Sequence, residues 1–313
     1  MNVAVIGSGG IGGLYGGKLY QAGVHVTMVC RSDYEVIRDR GITVESIWGS
    51  FHYRPHKVVR SVSECDPIPD YLLVCTKAVS DDTALKLLEG LPEKSDEVAV
   101  VLLQNGIYIE EPVKKFRPDL TVIGGIAFVC TFRTQPGYIC HTDYGRIVLG
   151  DYPQGVSKKT RLLADTFKKA GVPCEVTEDI IRARWGKLVW NAAFNPLSVL
   201  AGGKDTGEIV SDPYLLNIAR SVMEEVVRLA DADGHPLSPA VVDENLEATR
   251  AMSPYKTSML LDYEKGRPME CEAILGKAVK KAEELGVETP TIRTLYNLLM
   301  SFNRKLGGKN RDV

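Results

Sequence analysis

Charge of a single sign is what this chain most plainly lacks. Its 38 Lys and Arg are balanced by 40 Asp and Glu, for a formal net charge of −2 over 313 residues. The cations are scattered, with no basic stripe, so composition argues against nucleic acid and against an anionic membrane surface as partners. Long apolar runs are missing as well: Val98–Leu103 is far too short to span a bilayer. The N-terminal Met1-Asn2-Val3-Ala4-Val5-Ile6-Gly7 has neither the basic start nor the apolar length of a secretory signal, and reads as a first strand. The seven cysteines are dispersed, and no two stand at C-x-x-C spacing. That leaves no zinc-type metal site and no disulfide framework to expect, and suggests reduced thiols in a cytoplasmic protein. A Gly/Ser-rich linker, internal repeats and low-complexity segments are also absent.

What is present is the composition of an ordinary globular protein, 44% hydrophobic and 25% charged, with a length that favours two domains. Continuous apolar strands are expected at Val3–Ile6, His25–Val29, Tyr71–Cys75, Val98–Leu103 and Thr121–Ile126. They alternate with helical patterns at Gly12–Gln21, Asp33–Asp39, Asp81–Leu88 and Ile109–Phe116. Such alternation indicates a parallel sheet covered on both faces. Three short strands follow (Thr131–Thr134, Tyr138–His141, Arg146–Leu149), with turns at Gln135-Pro136-Gly137 and Asp143-Tyr144-Gly145. A helix over Ser157–Lys169 and a strand over Pro173–Val176 complete this half. Beyond Thr177 only helical patterns remain: Ile180–Phe194, Tyr214–Asp231, Ser238–Ala251, Lys256–Lys265, Glu270–Leu285 and Thr291–Lys305. The expected fold class is therefore α/β: a Rossmann-type doubly wound parallel sheet over residues 1–177, then an all-α domain over 178–313. The last residues, Gly307–Val313, should fray. The long helices of the second domain suit either a monomer or a homodimer.

Gly7-Ser8-Gly9-Gly10-Ile11-Gly12 fits G-x-G-x-x-G directly after an apolar strand and at the opening of a helix, the context that makes it a dinucleotide-binding fingerprint. Gly7 serves the tight turn, Gly9 the approach of a pyrophosphate, and Gly12 close packing of helix on strand. At the end of the second strand an NAD enzyme usually carries an acid, about 20 residues beyond the glycines. Here the chain reads Cys30-Arg31-Ser32. Arg31 can stack on adenine or pair with a 2′-phosphate, and Ser32 can donate to that phosphate, which favours NADP. Asp33 remains either a rival ribose ligand or a helix cap. Lys77 and Asn105-Gly106 follow two further strands and so belong to the carboxyl edge of the sheet, where ligands of such folds bind.

In the second half, Lys187, Asn191 and Asn195 are spaced four apart and share one helical face among bulky apolar neighbours. Pro196 should end or kink that helix and leave the Asn195 amide free to turn outward. A lysine ammonium beside two amides suits reduction of a 2-oxo acid: the ammonium supplies a proton and charge stabilisation, and the amides orient carboxylate and hydroxyl groups. Ser258 and Glu270, taken alone, read as a helix-surface serine and a glutamate in a first helical turn.

Together, Gly7-x-Gly9-x-x-Gly12, Lys77, Gln104-Asn105-Gly106, Lys187-Leu188-x-x-Asn191-x-x-x-Asn195-Pro196-Leu197, Ser258-Met259-Leu260-x-Asp262 and Glu270 resemble the 2-dehydropantoate 2-reductase (ketopantoate reductase) family along nearly the whole chain. The resemblance implies NADPH-dependent reduction of ketopantoate to pantoate, for pantothenate and coenzyme A synthesis. It implies Lys187 as general acid with Glu270 as its acidic partner. It implies substrate contacts from Asn105, Asn191, Asn195 and Ser258, and places Lys77 and Asn105 near the cofactor. Some family members carry a substrate-contacting asparagine eighteen residues beyond the lysine, where this chain has Asp205. An acid there would repel a substrate carboxylate, so either Asp205 points away or the substrate differs. Two other readings stand beside this one. A 3-hydroxyacid dehydrogenase of the 6-phosphogluconate type also uses a helical lysine followed by asparagine four residues on. A non-catalytic NADPH sensor would keep the glycines without needing the lysine, asparagines and glutamate.

Overall fold

In a computed structural model, residues 1–92 and 97–308 are described. The chain forms two compact units, one comprising Met1–Gln104 with Ile109–Ile180, the other Asn105–Tyr108 with the chain from Ile181 onward.

The first unit carries β1 (Asn2–Ile6), α1 (Gly10–Gln21), β2 (His25–Val29), α2 (Tyr34–Arg40), β3 (Ile42–Ser46), β4 (Phe51–Tyr53), β5 (Lys57–Val59), β6 (Tyr71–Val74), α3 (Asp81–Leu88), β7 (Ala99–Leu102), α4 (Glu110–Phe116), β8 (Thr121–Gln135), β9 (Tyr138–Asp151), α5 (Lys158–Lys169) and β10 (Cys174–Val176). All the strands join one sheet in the order β4-β3-β9-β8-β7-β6-β1-β2-β5, with β10 beside β9. From β8 through β5 every neighbouring pair is parallel. The four residues of β6 and the four of β7 are all buried, which is why they read as unbroken apolar runs. The chain leaves β1 for β2 on one side and later returns to β6 on the other, so the order reverses at β1. That switch point opens a crevice at the carboxyl ends of the strands, where the glycine-rich turn sits.

Two differences from the sequence reading are informative. Strands β3, β4 and β5 were not expected; they are short, and their mixture of polar and apolar residues forms no unbroken apolar run. The three short strands expected after Thr131 are parts of one long antiparallel ribbon, β8 and β9, closed by the turn at Gly137. Asp143-Tyr144-Gly145 is not a turn. It lies inside β9, where Tyr144 (φ 60°) and Gly145 (φ 127°) take left-handed backbone and the pairing with β8 slips in register. This bulge bends the ribbon without ending it.

The second unit contains α6 (Ile180–Leu200), α7 (Thr206–Ser211), α8 (Pro213–Ala232), α9 (Val241–Ala251), α10 (Ser258–Glu264), α11 (Lys277–Leu285) and α12 (Pro290–Gly308). Residues 309–313, part of the tail expected to fray, lie outside the described residues, while Gly307 and Gly308 continue α12. The expected end of α6 at Pro196 is overturned. The helix runs four residues further, with Phe194, Leu197, Ser198 and Val199 all buried. The Ser198 hydroxyl donates to the Asn195 carbonyl at 2.8 Å, a side-chain bond back to the backbone of the turn that holds the proline. Asn195 consequently stays inside, 2% exposed, and does not turn outward. Helices α8 and α12 are joined by Glu225, whose buried carboxylate accepts from Thr291 N (2.9 Å) and Ile292 N (2.8 Å) at the start of α12. An acid at a helix N-terminus satisfies donors that have no partner within the helix. Among the described residues no helix is long and apolar enough to cross a membrane.

The glycine turn gives the first prediction. A Cβ on Gly12 would stand 1.9 Å from the Gly7 carbonyl oxygen, whereas one on Gly9 would meet nothing within 4 Å. Gly12→Ala should therefore lower unfolding free energy by about 3 kcal/mol, the upper end for overpacking. Gly9→Ala should cost only about 0.5 kcal/mol, the loss of a favourable cap residue. Denaturant midpoints of the two variants check this; equal midpoints would mean that helix and strand do not approach so closely.

Candidate active site

The cofactor residues expected from the sequence lie in the first unit. Gly7 takes φ +100° between β1 and α1, and α1 begins at Gly10 with no side chain capping its first turn. The free N–H groups there, and the open space at the Gly9 Cβ position, fit a pyrophosphate. Gly10 has a different reason for being glycine: a Cβ would lie 2.8 Å from the backbone of Thr131, so β8 crosses against the start of α1. Ile11 packs on the core beneath the turn. Ser8 is buried, and its hydroxyl donates to Asp33 Oδ2 at 3.1 Å.

At the end of β2 the Cys30 thiol is pushed up to about 11 by burial and by the nearby Asp33 charge, so it is inert at neutral pH. Arg31 and Ser32 are exposed. Asp33 occupies the cap position of α2 without a side-chain bond to the helix, and its carboxylate, 1% exposed, is held by Arg133, Ser8 and Ser32. Arg133 comes from β8, one hundred residues on, and carried no signal in the sequence. Lys77 follows β6 and is exposed. Gln104 joins the ends of β6 and β7, its amide donating to the Thr76 carbonyl at 2.8 Å.

The other group of expected residues lies in the second unit, which includes Asn105–Tyr108. Lys187 Nζ donates to Asn105 Oδ1 at 2.8 Å, and Asn105 Nδ2 donates to Glu270 Oε2 at 3.0 Å. The three residues thus form a relay from ammonium through amide to carboxylate. Lys187 is half-buried and Glu270 is 7% exposed. One and two turns along α6, Asn191 (7% exposed) and Asn195 make no side-chain hydrogen bond to any described residue. No polar atom of either amide is both fully enclosed and without a partner, so this shared face can still offer donors and acceptors to a polar ligand.

The relay depends on a tightly docked backbone. Glu270 immediately precedes a helix whose second to sixth residues, Glu272–Gly276, form a wide π turn, rather than starting an ordinary α-helix as expected. Ile107 N donates to the Ala273 carbonyl in that turn (3.3 Å), and Gly106 lies so near that a Cβ would stand 2.4 Å from the same oxygen. Arg184 Nη1 donates to the Gly106 carbonyl (3.1 Å) and Lys277 Nζ to that of Tyr108 (3.0 Å). Tyr108, at φ 52°, donates its hydroxyl to Asp233, which also accepts from Trp185 Nε1 at 2.9 Å. None of Arg184, Tyr108, Trp185 or Asp233 had been singled out from the sequence.

Ser258 is not joined to this relay. It opens α10 and is exposed, while its neighbour Thr257 caps the helix and bonds Ser198 of α6 at 2.6 Å. Asp205 caps α7: its Oδ1 accepts from Glu208 N at 2.8 Å, and Glu208 Oε2 accepts from Asp205 N at 2.9 Å. The spacing Asp205-Thr206-Gly207-Glu208 was a readable signal for this capping box.

Residues 3–154 match the ketopantoate reductase PanE/ApbA family, and residues 179–303 match the ketopantoate reductase PanE/ApbA C-terminal family. A 2-dehydropantoate 2-reductase of Nostoc sp. is 37% identical, over 98% of this chain and 96% of its own length. The crystal structure of 2-dehydropantoate 2-reductase from Methylococcus capsulatus superposes with a TM-score of 0.91 at 44% identity, covering 98% of each chain. That of the enzyme from Geobacter metallireducens GS-15 gives 0.90 at 35% identity, covering 96% of this chain and 99% of the other. The glycine turn at the switch point and the Lys187–Asn105–Glu270 relay thus stand in a chain that belongs to the ketopantoate reductase family.

Proposed function

We propose that this protein is an NADPH-dependent 2-dehydropantoate 2-reductase that reduces the 2-oxo group of ketopantoate to the hydroxyl of pantoate. The observation that carries the reading is the relay from Lys187 through Asn105 to Glu270, on the same helix as two buried amides without partners. Relatives of 37% and 44% identity named for this reaction support it. The capping role of Asp205 supports ketopantoate as substrate, because its carboxylate is engaged by the backbone of α7 and needs no substrate partner. Seven free thiols suit a reducing, cytoplasmic setting.

In this reading residues 1–177 hold the cofactor and residues 178–313, with Asn105, act on the substrate. NADPH supplies the hydride. Its pyrophosphate fits the turn Gly7–Gly12, with Arg31 and Lys77 as cations toward the dinucleotide. Lys187 stabilises the charge that develops on the carbonyl oxygen and gives its proton to that oxygen. Asn105 aims the ammonium by accepting one of its N–H bonds at Oδ1. Glu270, which accepts from the Asn105 amide, balances the lysine charge. Asn191 and Asn195 orient the carboxylate and hydroxyl of the substrate, with Ser258 at the start of α10 as a further contact.

The decisive assay follows NADPH oxidation with ketopantoate, pyruvate, 2-oxoisovalerate and a 3-oxo acid. Ketopantoate should give the highest kcat/KM; preference for the 3-oxo acid would move the enzyme to the 3-hydroxyacid class, and binding of NADPH without turnover would leave only a sensor. Lys187→Ala should lower kcat about 10²- to 10⁴-fold with NADPH affinity largely retained, and near-normal kcat would take the lysine out of the chemistry. Arg31→Ala should weaken NADPH by about tenfold or more, the loss of a charged hydrogen bond, and NADH much less. Equal losses in titration would remove Arg31 from 2′-phosphate recognition.

A further inference from the structure

One ion pair beside the glycine turn has no part in the mechanism above. Asp33 stands close to where Rossmann folds that prefer NAD place an acid for the ribose hydroxyls. Here that acid is sealed off, 1% exposed, under three donors. Ser8, within the glycine turn, gives its hydroxyl to Oδ2 at 3.1 Å, and Ser32 gives its own to Oδ1 at 2.9 Å. The guanidinium of Arg133 meets both oxygens through Nη1. The hydroxyls solvate the carboxylate but cannot cancel its charge; only Arg133 does. The arginine side chain keeps 31% of its surface exposed, and neither Nε nor Nη2 makes a hydrogen bond to a described residue.

A bare carboxylate two residues from Arg31 would repel the 2′-phosphate and favour the ribose hydroxyls of NADH. We propose that Arg133 is a cofactor-specificity residue: by neutralising Asp33 it makes the corner formed by Arg31, Ser32 and Asp33 accept a 2′-phosphate, and its remaining N–H groups add donors on the same side. This inference rests on the NADPH reading and explains how a chain with an acid at this position selects the phosphorylated cofactor. It also gives β8 a part in cofactor choice, although β8 lies far from the usual fingerprint in sequence.

The test is a set of dissociation constants, by calorimetry, for NADPH and NADH with the wild-type protein and four variants: Arg133→Met, Arg133→Lys, Asp33→Asn, and Asp33→Asn with Arg133→Met. Arg133→Met should weaken NADPH about 10- to 100-fold and NADH less than about threefold, while Arg133→Lys keeps most of the discrimination. The double variant removes the buried charge with its partner, so it should fold even where Arg133→Met does not, and it should recover most of the lost NADPH affinity. The loss of NADPH affinity with NADH affinity retained in Arg133→Met is the readout a merely structural role would not produce. Parallel losses for both cofactors in Arg133→Met, or a double variant no better than the single one, would overturn the role of Arg133. Wild-type protein that binds NADH as tightly as NADPH would instead overturn the NADPH reading itself.

Discussion

The Asn105 side chain is the constraint on which the second unit's chemistry depends. An amide has one accepting and one donating end, and here each is committed: the oxygen to the Lys187 ammonium, the nitrogen to the Glu270 carboxylate. Each is a hydrogen bond to a charged group, worth about 1.5–3 kcal/mol. A leucine would serve neither end, and an aspartate would set two like charges side by side. To hold that amide in place, the backbone of Gly106–Tyr108 must lie against the π turn, and this accounts for several features at once. Gly106 must be glycine because the Ala273 carbonyl leaves no room for a Cβ. The π turn presents that carbonyl to Ile107 N. Tyr108 accepts left-handed backbone because its ring and hydroxyl are held by Trp185 and Asp233.

How much of this was legible in the sequence follows from the range of each interaction. The parallel strands, the glycine turn and the Lys187–Asn191–Asn195 face were readable, because each arises from spacing within a few residues. The cap at Asp205 is legible for the same reason, since its pattern spans four residues. Strands β3–β5 were not legible, since their short segments mix polar with apolar residues and form no unbroken apolar run. Pro196 misled because the local rule gives it a helix end, while burial of Phe194, Leu197 and Val199 outweighs one missing N–H. The bulge at Tyr144-Gly145 is misleading in the opposite sense: its residues have the composition of a turn, yet the pairing with β8 carries the strand through them.

The partnerships that shape both candidate sites were beyond local reading altogether. Asp33 and Arg133 are one hundred residues apart, and Asn105 and Glu270 are one hundred and sixty-five apart. A sequence shows that Asp33 is acidic; only the fold shows that its charge is spent. The same holds for Asn105, which by position follows a sheet strand yet is part of the helical unit. Resemblance to a family identifies such residues without the interactions that fix them.

The distribution of unsatisfied groups ties these points together. Among the described residues, the Thr289 hydroxyl is the only fully enclosed side-chain polar atom lacking a partner. The fold therefore satisfies enclosed polar groups almost everywhere, Glu225 and Asp33 included. Asn191 and Asn195 depart from that rule without violating it: each residue is largely buried, yet no polar atom of its amide is both fully enclosed and without a partner. Leaving two amides open in this way costs about 1–3 kcal/mol each where no water or ligand serves them. The surrounding helix offsets that cost with its apolar flanks, of which Trp185, Val189 and Phe194 are fully buried. A polar face kept open inside an otherwise satisfied apolar helix, beside a lysine whose direction is already set, adds nothing to stability, and it is on this face that the substrate contacts proposed for Asn191 and Asn195 rest.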